Sequence, residues 1–369
     1  MYNAKVRTLN VRTWDAIIIG AGIIGLSLAR ELGKHSLRVL IVEREQPGRE
    51  ASHAAAGMLV DHKAETPEAL RSLASASAQM YPEFVHELQD ESGINPDLRD
   101  FGTLLLPTQL KPEDEPLPQS DWLPAPLSEL EPALAVDIGP ATYLKERSVD
   151  PRLLTSAALQ AVRHREINIS SGALVTGILL SGERLTGVRT EKTTYIAPIV
   201  VNCAGAWAGQ VLPHAIPTRP VKGQMLSIVG GPRLRHVVRG RRYLVPRSDG
   251  RILLGASVEE AGYDKRTDAD TLKDMYRTAV RWVPALAQGR ILESWAGLRP
   301  GTPDTLPIMG ATPTSGYFVA TGHFRDGILL APVTAHVMTQ LILGAKPDHD
   351  LSRFRADRFG EPKPHSLEA

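Results

Sequence analysis

The sequence predicts an α/β protein of two domains, one built around a strand–helix–strand unit with buried strands and the other rich in short strands. The chain has 369 residues, which is more than one typical domain needs and enough for two. A buried strand, a glycine-rich turn, a helix and a second buried strand follow one another near its start. Strand-rich blocks at 168–203 and 216–257 then alternate with helical stretches.

The composition is that of an ordinary globular protein, with 43% hydrophobic and 22% charged residues. Lys and Arg number 42 against 41 Asp and Glu, so we expect no nucleic-acid partner. Cys203 is the one cysteine, and we therefore expect no internal disulfide, no metal site and a cytoplasmic location. The uncharged run from Ile328 to Ala345 contains proline and polar residues, so it predicts a buried helix and no membrane span.

The first organised unit has the spacing of a dinucleotide-binding turn. An apolar strand, Ala16–Ile19, leads into Gly20, Gly22 and Gly25, a helix follows, and a second apolar strand closes on Glu43. In a Rossmann-like unit the first glycine permits the tight turn, the second lets backbone N–H groups approach a pyrophosphate, and the third allows close helix–strand packing. The acid binds a ribose diol. This unit predicts a bound dinucleotide at the helix N-terminus.

The glycine spacing leaves open whether the dinucleotide is NAD or FAD. The segment after the second strand, "GREASHAAAGML" (48–59), consists largely of small residues. Small side chains leave backbone N–H groups accessible to a flat ring system, which favours a flavin. Further along, the patterns predict helices at 66–91 and 268–283, and another that begins near Pro151.

Nine stretches of the chain, in order from residue 16 to about 345, resemble the D-amino acid oxidase-like FAD-dependent amine oxidases, and most closely the glycine oxidases of thiamine biosynthesis. The stretches are "IIIGAGIIGLSLARELG", "VLIVERE", "SHAAAGML", "VDPRLL", "NCAGAW", "PVKGQM", "YLVPRSDGRILLGAS", "WAGLRPGTPDTLPIMG" and "GHFRDGILLAP". The resemblance implies a Rossmann-like FAD-binding domain of the glutathione reductase and D-amino acid oxidase type, with an inserted, mostly antiparallel substrate domain. The implied FAD-binding domain comprises 14–65, 148–213 and 290–350, the substrate domain 66–147 and 214–289, and the tails 1–13 and 351–369.

The resemblance also implies which residues bind FAD, and that no covalent bond holds it. Cys203 does not occupy the position of a flavin-tethering cysteine. The implied pyrophosphate, ribose and adenine contacts are Gly20, Gly22, Ile23, Ile24, Gly25, Glu43, Arg44 and Val175. The implied flavin contacts are Ser52, Ala56, Gly57, Met58, Gly205, His323, Phe324, Arg325, Asp326, Gly327, Ile328 and Leu329.

Three residues are the implied substrate-binding and catalytic set. Arg299 would anchor the substrate carboxylate with its planar guanidinium, Tyr243 would add its hydroxyl, and Arg325 would reach into the same cavity. The implied reaction oxidises glycine, sarcosine or a small D-amino acid by hydride transfer to the flavin. Molecular oxygen would be the acceptor, giving an imino or keto acid, ammonia and hydrogen peroxide. Relatives of this kind often form homotetramers.

Some alternatives remain open from the sequence. The chain could be a D-amino acid dehydrogenase with a quinone acceptor, an NAD(P)-dependent dehydrogenase, or a non-catalytic flavin-binding protein. Arg241 and Arg242 precede Tyr243, and if either lines the substrate cavity, a dicarboxylic substrate would fit. Asp326 stands where relatives often carry Asn. His323 is a candidate base, although a packing role suits it better.

Overall fold

The computed structural model describes residues 13–61, 66–106, 126–213 and 216–360. Its strands are β1 (Ala16–Ile19), β2 (Val39–Glu43), β3 (Met58–Leu59), β4 (Thr103–Leu105), β5 (Thr142–Leu144), β6 (Arg147–Ser148), β7 (Asn168–Ser171), β8 (Val175–Ser181), β9 (Arg184–Thr190), β10 (Thr194–Ile196), β11 (Ile199–Asn202), β12 (Arg219–Val229), β13 (Val237–Arg239), β14 (Tyr243–Pro246), β15 (Ile252–Gly255), β16 (Arg290–Gly301), β17 (Ile308–Ala311) and β18 (Tyr317–Thr321). Its α-helices are α1 (Ile23–Lys34), α2 (Ala51–Ala54), α3 (Arg71–Ser92), α4 (Leu127–Leu130), α5 (Pro151–His164), α6 (Ala269–Trp282) and α7 (Ala331–Ile342).

A six-stranded sheet, in the order β17-β18-β11-β1-β2-β7, forms the parallel half of the molecule. All neighbouring strands in it are parallel except β17, which pairs antiparallel with β18. Every residue of β1 and β2 is buried, which explains why both strands are continuous apolar runs in the sequence. Their carboxyl ends meet at one edge of the sheet, next to the glycine turn.

The two faces of this sheet are covered differently. Ala16 and Ile18 point into a core shared with α1, α3, α5 and α7. Ile17 and Ile19 point to the other face, which packs against the antiparallel sheet β10-β9-β8 through residues such as Val188. Successive side chains of a strand alternate between its faces, so one four-residue strand contributes to two cores.

A seven-stranded sheet, in the order β16-β12-β15-β14-β13-β4-β5, forms the second half. Its pairings are antiparallel apart from β13 with β4, as the sequence predicts. Helix α6 packs on one face through Met275, Ala279 and Trp282. Long pairing of β12 with β16 sets Val221 opposite Arg299, and β14 begins at Tyr243 next to Gly255 of β15. This sheet therefore positions both expected substrate residues.

The α/β fold class and the individual elements predicted from sequence are confirmed. Helix α7 is buried, and helices α5 and α6 begin after Asp150 and Asp268, whose carboxylates cap their first turns. Within the described ranges, no helix is long and apolar enough to cross a membrane. The division into domains stays a prediction. The predicted boundary at 290 assigns β16 to the FAD-binding domain, whereas β16 pairs with β12 of the predicted substrate domain. The predicted boundary at 66 assigns α3 to the substrate domain, whereas α3 packs on α5 and α7.

A buried ion cluster joins α1 and α3 to the chain after α5. The Arg30 guanidinium, 2% exposed, bonds Glu87 and Glu91, and Arg165 also donates to Glu91. Burial opposes ionisation of Glu91, but hydrogen bonds from Arg165 and Arg30 outweigh it and lower the pKa of this carboxylate to about 2. This cluster holds the helical layer together by charge as well as by apolar contact.

We expect Glu91→Gln to destabilise the protein at pH 7 by on the order of 2 kcal/mol, since it leaves buried guanidinium groups underpaired. A carboxylate with a depressed pKa stabilises the fold above its unfolded pKa and loses this contribution as pH falls. The difference from wild type should therefore shrink between about pH 4.5 and about pH 2, as urea unfolding would show. Glu83→Gln, on the exposed face of the same helix, is the control. An equal effect of both changes would contradict the prediction.

Candidate active site

A cleft of about 460 Å³ runs from the carboxyl edge of the parallel sheet to the seven-stranded sheet. Most residues expected at a cofactor or substrate line it. They are Gly20, Gly22, Ile23, Ile24, Glu43, Arg44, Ser52, Ala56, Gly57, Met58, Val175, Gly205, Tyr243, Arg299, His323, Phe324, Arg325, Asp326, Gly327 and Ile328. Gly25 and Leu329, also expected at the cofactor, do not line the cleft. The side chain of Leu329 lies in the core.

The glycine turn brings backbone close to backbone at the base of the cleft. A Cβ on Gly25 would lie 2.1 Å from the Gly20 carbonyl oxygen, and one on Gly20 would lie 2.7 Å from that of Cys203. Gly20 also has a φ of +101°, which side chains disfavour. Gly25 therefore acts by packing α1 against β1, and the α1 N-terminus faces the cleft with no acid in its first turn and with a glycine, Gly22, as its N-cap residue. Such an end suits an anionic ligand.

The carboxylate of Glu43 is held in place beside this turn. It accepts hydrogen bonds from the backbone N–H of Ala21 at 2.8 Å and of Glu45 at 3.0 Å. Ser52, expected at the flavin, accepts a hydrogen bond from the Ile23 N–H at 2.9 Å. In this structure the N–H groups of Ala21 and Ile23 thus bond side chains, and within the described part of the chain no hydrogen bond engages those of Gly22 and Ile24, which line the cleft.

An aromatic and ionic cluster closes one end of the cleft, and sequence reasoning missed most of it. The Arg44 guanidinium stacks 3.6 Å from the centre of the Trp207 ring, and Trp207 packs at 5.4 Å on Tyr263. Glu50 bonds Arg44 at 2.9 Å and Lys265 at 3.1 Å. The tryptophan in the otherwise small stretch "NCAGAW" was the available signal.

Side chains from other parts of the chain hydrogen-bond the carbonyls of the small-residue segment 52–58 and hold its backbone beside the cleft. The Trp295 indole donates to the Ala54 carbonyl at 3.2 Å, and the Arg247 guanidinium donates to the Ala56 carbonyl. A Cβ on Gly57 would lie 2.0 Å from the Val149 carbonyl oxygen. These contacts come from distant parts of the chain and explain why bulky or flexible residues do not suit the segment.

Arg299 presents its guanidinium to the other end of the cleft without an acidic partner among the described residues. Its Nη1 donates to the carbonyls of Ser257 at 3.2 Å and Lys222 at 3.4 Å. A Cβ on Gly223 would lie 2.2 Å from this nitrogen, so the glycine makes room for the arginine. Burial lowers the pKa of Arg299 from its usual value, yet arginine remains protonated at neutral pH.

Tyr243 and Arg325 converge on Arg299. The Tyr243 hydroxyl lies beside the Arg299 guanidinium and donates to the Met225 sulfur at 3.7 Å, and its ring occupies space that a Cβ on Gly255 would fill. Burial raises the pKa of Tyr243, while the charges of Arg299 and Arg325 oppose this shift; the phenol is therefore a neutral donor at pH 7. Two cations and a hydroxyl around one space suit a carboxylate.

His323 does not suit the role of catalytic base. It is buried, its Nε2 lies 3.1 Å from the Thr334 hydroxyl, and burial lowers its pKa to about 3. An imidazole of so low a pKa is too weak a base to keep a proton taken from a substrate amine at neutral pH. His323 therefore packs the loop against α7.

In the loop before α7, two backbone carbonyls accept hydrogen bonds from side chains of α3. The Ile328 carbonyl accepts from the Tyr81 hydroxyl and the Leu329 carbonyl from Ser77 at 2.6 Å. The Asp326 N–H, expected to face the cofactor, donates instead to the His323 carbonyl at 2.8 Å. Within the described part of the chain, no hydrogen bond engages the N–H groups of Arg325, Gly327, Ile328 and Leu329. Of these residues Arg325, Gly327 and Ile328 line the cleft, and with Pro332 in the first turn of α7 their N–H groups and the helix N-terminus form a positive edge there.

The three arginines before Tyr243 have different surroundings. Arg239 pairs with Glu146 at 2.9 Å, and Arg242 turns away to Asp274 at 2.9 Å and the Ala256 carbonyl at 2.7 Å. Arg241 lines the cleft, whereas Arg242 does not. Of the two arginines considered from sequence, Arg241 is thus the one that faces the expected substrate.

Comparisons with known proteins agree on one group. A family model described as "DAO: FAD dependent oxidoreductase" matches residues 15–341. The glycine oxidase of Pseudomonas aeruginosa is 33% identical over 90% of this chain and 95% of its own length. The bifunctional protein ThiO/ThiG of Trichormus variabilis is 35% identical over 94% of this chain, which spans only 55% of that protein. The crystal structure of glycine oxidase from Geobacillus kaustophilus matches with a TM-score of 0.88 at 30% identity, covering 94% of this chain and 99% of that one.

Asp326 provides a pH test of the cleft. Burial raises its pKa to about 6, against the opposing charge of Arg325. A carboxyl with a raised pKa stabilises the fold while protonated, and this contribution is lost as pH rises from about 4 through about 6. We therefore expect Asp326→Asn to gain stability relative to wild type over this range, reaching on the order of 2 to 3 kcal/mol. Urea unfolding of both cofactor-free proteins measures it, and a difference that does not change with pH would contradict it.

Proposed function

Because the chain belongs to the DAO family of FAD-dependent oxidoreductases, we propose that it oxidises the α-carbon of glycine, and also of sarcosine or small D-amino acids, to the imine. The family decides between the two dinucleotides that the glycine turn left open: the cofactor is FAD. The observation that carries the substrate proposal is the convergence of Arg299, Tyr243 and Arg325 at the end of the FAD cleft. The named activity of the glycine oxidase relatives supports it.

The residues of the cleft fit FAD. The α1 N-terminus at Gly22, with no acid in its first turn, suits the pyrophosphate, and the fixed carboxylate of Glu43 suits a ribose diol. The segment 52–58 and the positive edge of the loop before α7 would hold the flavin ring. Cys203 lies at the cleft, but burial raises the pKa of its thiol, so a non-covalent cofactor is proposed.

The substrate would bind through its carboxylate. Arg299 offers a two-pronged guanidinium from a rigid strand, and the Tyr243 hydroxyl donates to the same oxygens. Glycine has no side chain, so this anchor alone must orient its α-carbon. A deprotonated amine is required for hydride transfer, and since His323 is bonded to Thr334, the proposal assigns no base to the protein.

When bound, FAD supplies the hydride acceptor, and molecular oxygen is the proposed final acceptor, giving hydrogen peroxide. The N–H groups of Arg325, Gly327 and Ile328 and the α7 N-terminus would stabilise negative charge developing at the adjacent edge of the ring system. The imine hydrolyses to a keto acid and ammonia. Because the ThiO/ThiG proteins are among its relatives, we propose that the glycine imine supplies thiamine thiazole synthesis. The cytoplasmic location and the homotetramer remain predictions.

The direct test is the visible spectrum of the purified protein under nitrogen, before and after addition of glycine, sarcosine or D-alanine. Bleaching by glycine, followed by recovery in air with stoichiometric peroxide, is the expected result. Bleaching without recovery in air would favour a quinone-type acceptor. A flavin that none of these amines reduces would overturn the proposed function.

We expect Arg299→Ala to lower kcat/KM for glycine by roughly 10²- to 10³-fold, since it removes a desolvated charge-assisted contact. FAD should stay bound, because Arg299 touches neither the glycine turn nor segment 52–58 in the structure. Steady-state peroxide formation and the flavin content of the purified variant measure the two effects. Arg290→Ala, at the exposed start of the same strand, is the matched control. Loss of both activity and FAD would point to misfolding of β16 instead.

A further inference from the structure

We propose that Arg241 binds a second acidic group where a substrate carries one, so that a small amine dicarboxylate reacts better than the same amine with its second carboxylate neutralised. The inference rests on the proposed function and adds a substrate class to the same site. The shared chemistry is one amine and two carboxylates, carried either as a second N-linked acetate or as an acidic side chain.

The first reason is an excess of cations at the substrate end of the cleft. Arg299, Arg325 and Arg241 all line it, and Asp326 is the acidic residue that lines it near them. The other lining acids, Glu43 and Glu50, lie at the glycine-turn end and are bonded there. Asp326 and one substrate carboxylate together carry two negative charges, against three guanidinium groups. A second substrate carboxylate would provide the third negative charge.

The second reason is the position of Arg241 in its hairpin. The turn between β13 and β14 is closed by the Gly240 N–H donating to the Arg242 carbonyl at 2.8 Å. Arg239 and Arg242, on either side, are engaged by Glu146 and Asp274. Arg241 is exposed, and among the described residues it has neither a hydrogen bond nor an ion pair within 4 Å; the acid on which its charge acts is Asp274, which already bonds Arg242. Arg241 stands two residues before Tyr243, which lies beside the expected anchor.

A neighbouring cavity of about 330 Å³ is not the binding place proposed. Arg241 borders it as well, together with Arg242, Arg277, Arg281 and Asp274. Asp274 and Arg242 already bond each other there. Arg241 thus stands between the cleft and this basic surface, which would raise the local concentration of dianionic substrates and leave recognition to Arg241.

The experiment compares iminodiacetate with its monoamide, which has nearly the same shape but lacks the second charge. We expect kcat/KM of the FAD-loaded wild type to favour iminodiacetate by about tenfold or more, as a partly exposed arginine–carboxylate contact allows. In Arg241→Gln the ratio should fall toward one, and in Arg241→Glu it should invert. Raising salt from about 0.05 M to about 0.5 M should reduce the wild-type ratio. D-aspartate against D-asparagine tests the side-chain form of the same chemistry.

A binding measurement without turnover separates recognition from catalysis. Oxydiacetate and methoxyacetate replace the reactive nitrogen by oxygen, and titration of the flavin spectrum gives their dissociation constants. Oxydiacetate should bind about tenfold tighter to wild type, and this advantage should vanish in Arg241→Gln. Arg277→Gln, which borders the neighbouring cavity but not the cleft, should keep it.

The outcomes distinguish this inference from the proposed function. If glycine and sarcosine are oxidised but the acid and its amide react equally, Arg241 has no such role and the proposed function stands. An equal loss of the ratio in Arg277→Gln would assign the effect to the general field, and the inference would fall. If no amine reduces the flavin while oxydiacetate still binds through Arg241, the proposed function fails and the recognition remains.

Discussion

The close approach of backbone at the glycine turn is the constraint on which the rest of the molecule depends. With 2.1 Å between the Gly20 carbonyl oxygen and the place of a Cβ on Gly25, only glycine lets α1 start directly at the end of β1. The α1 N-terminus, the carboxylate of Glu43 and the end of β11 at Cys203 then share one edge of the sheet. Everything that lines the cleft is arranged around this edge, because the carboxyl ends of parallel strands meet there.

The arginines of this protein differ in whether an acidic side chain pairs with them. Those that hold the scaffold are paired: Arg30 with Glu87 and Glu91, and Arg152 with Glu293. Arg299 donates to the carbonyls of Lys222 and Ser257 and lies beside the Tyr243 hydroxyl, so its charge has no acidic partner within the described residues. A largely desolvated charge without a partner costs stability, and proteins keep such a cost where a ligand compensates it. This contrast supports the proposed position of the substrate at that end of the cleft.

The loop before α7 carries the charged residues Arg325 and Asp326 directly before a buried helix. Its carbonyls are occupied by Tyr81 and Ser77, and His323 is fixed by Thr334, so the loop has one conformation. The N–H groups of Arg325, Gly327 and Ile328 remain without a bond in the described chain, and these three residues border the cleft. An edge of fixed donors needs no reorganisation when negative charge develops beside it, which is the electrostatic advantage of a preorganised site.

The sequence by itself determined the fold class, the glycine turn, Glu43, the buried α7 and, through its resemblance to a family, the residues around the cleft. These are local patterns, or motifs whose partners lie a few residues away. Only the tertiary structure showed that Gly223 and Gly255 make room for Arg299 and Tyr243, that α3 joins the helical layer, and that Arg241 faces the cleft while Arg242 does not. The sequence does not distinguish two adjacent arginines of one hairpin. The strands and the helix packed around Arg241 and Arg242 determine which of them lines the cleft.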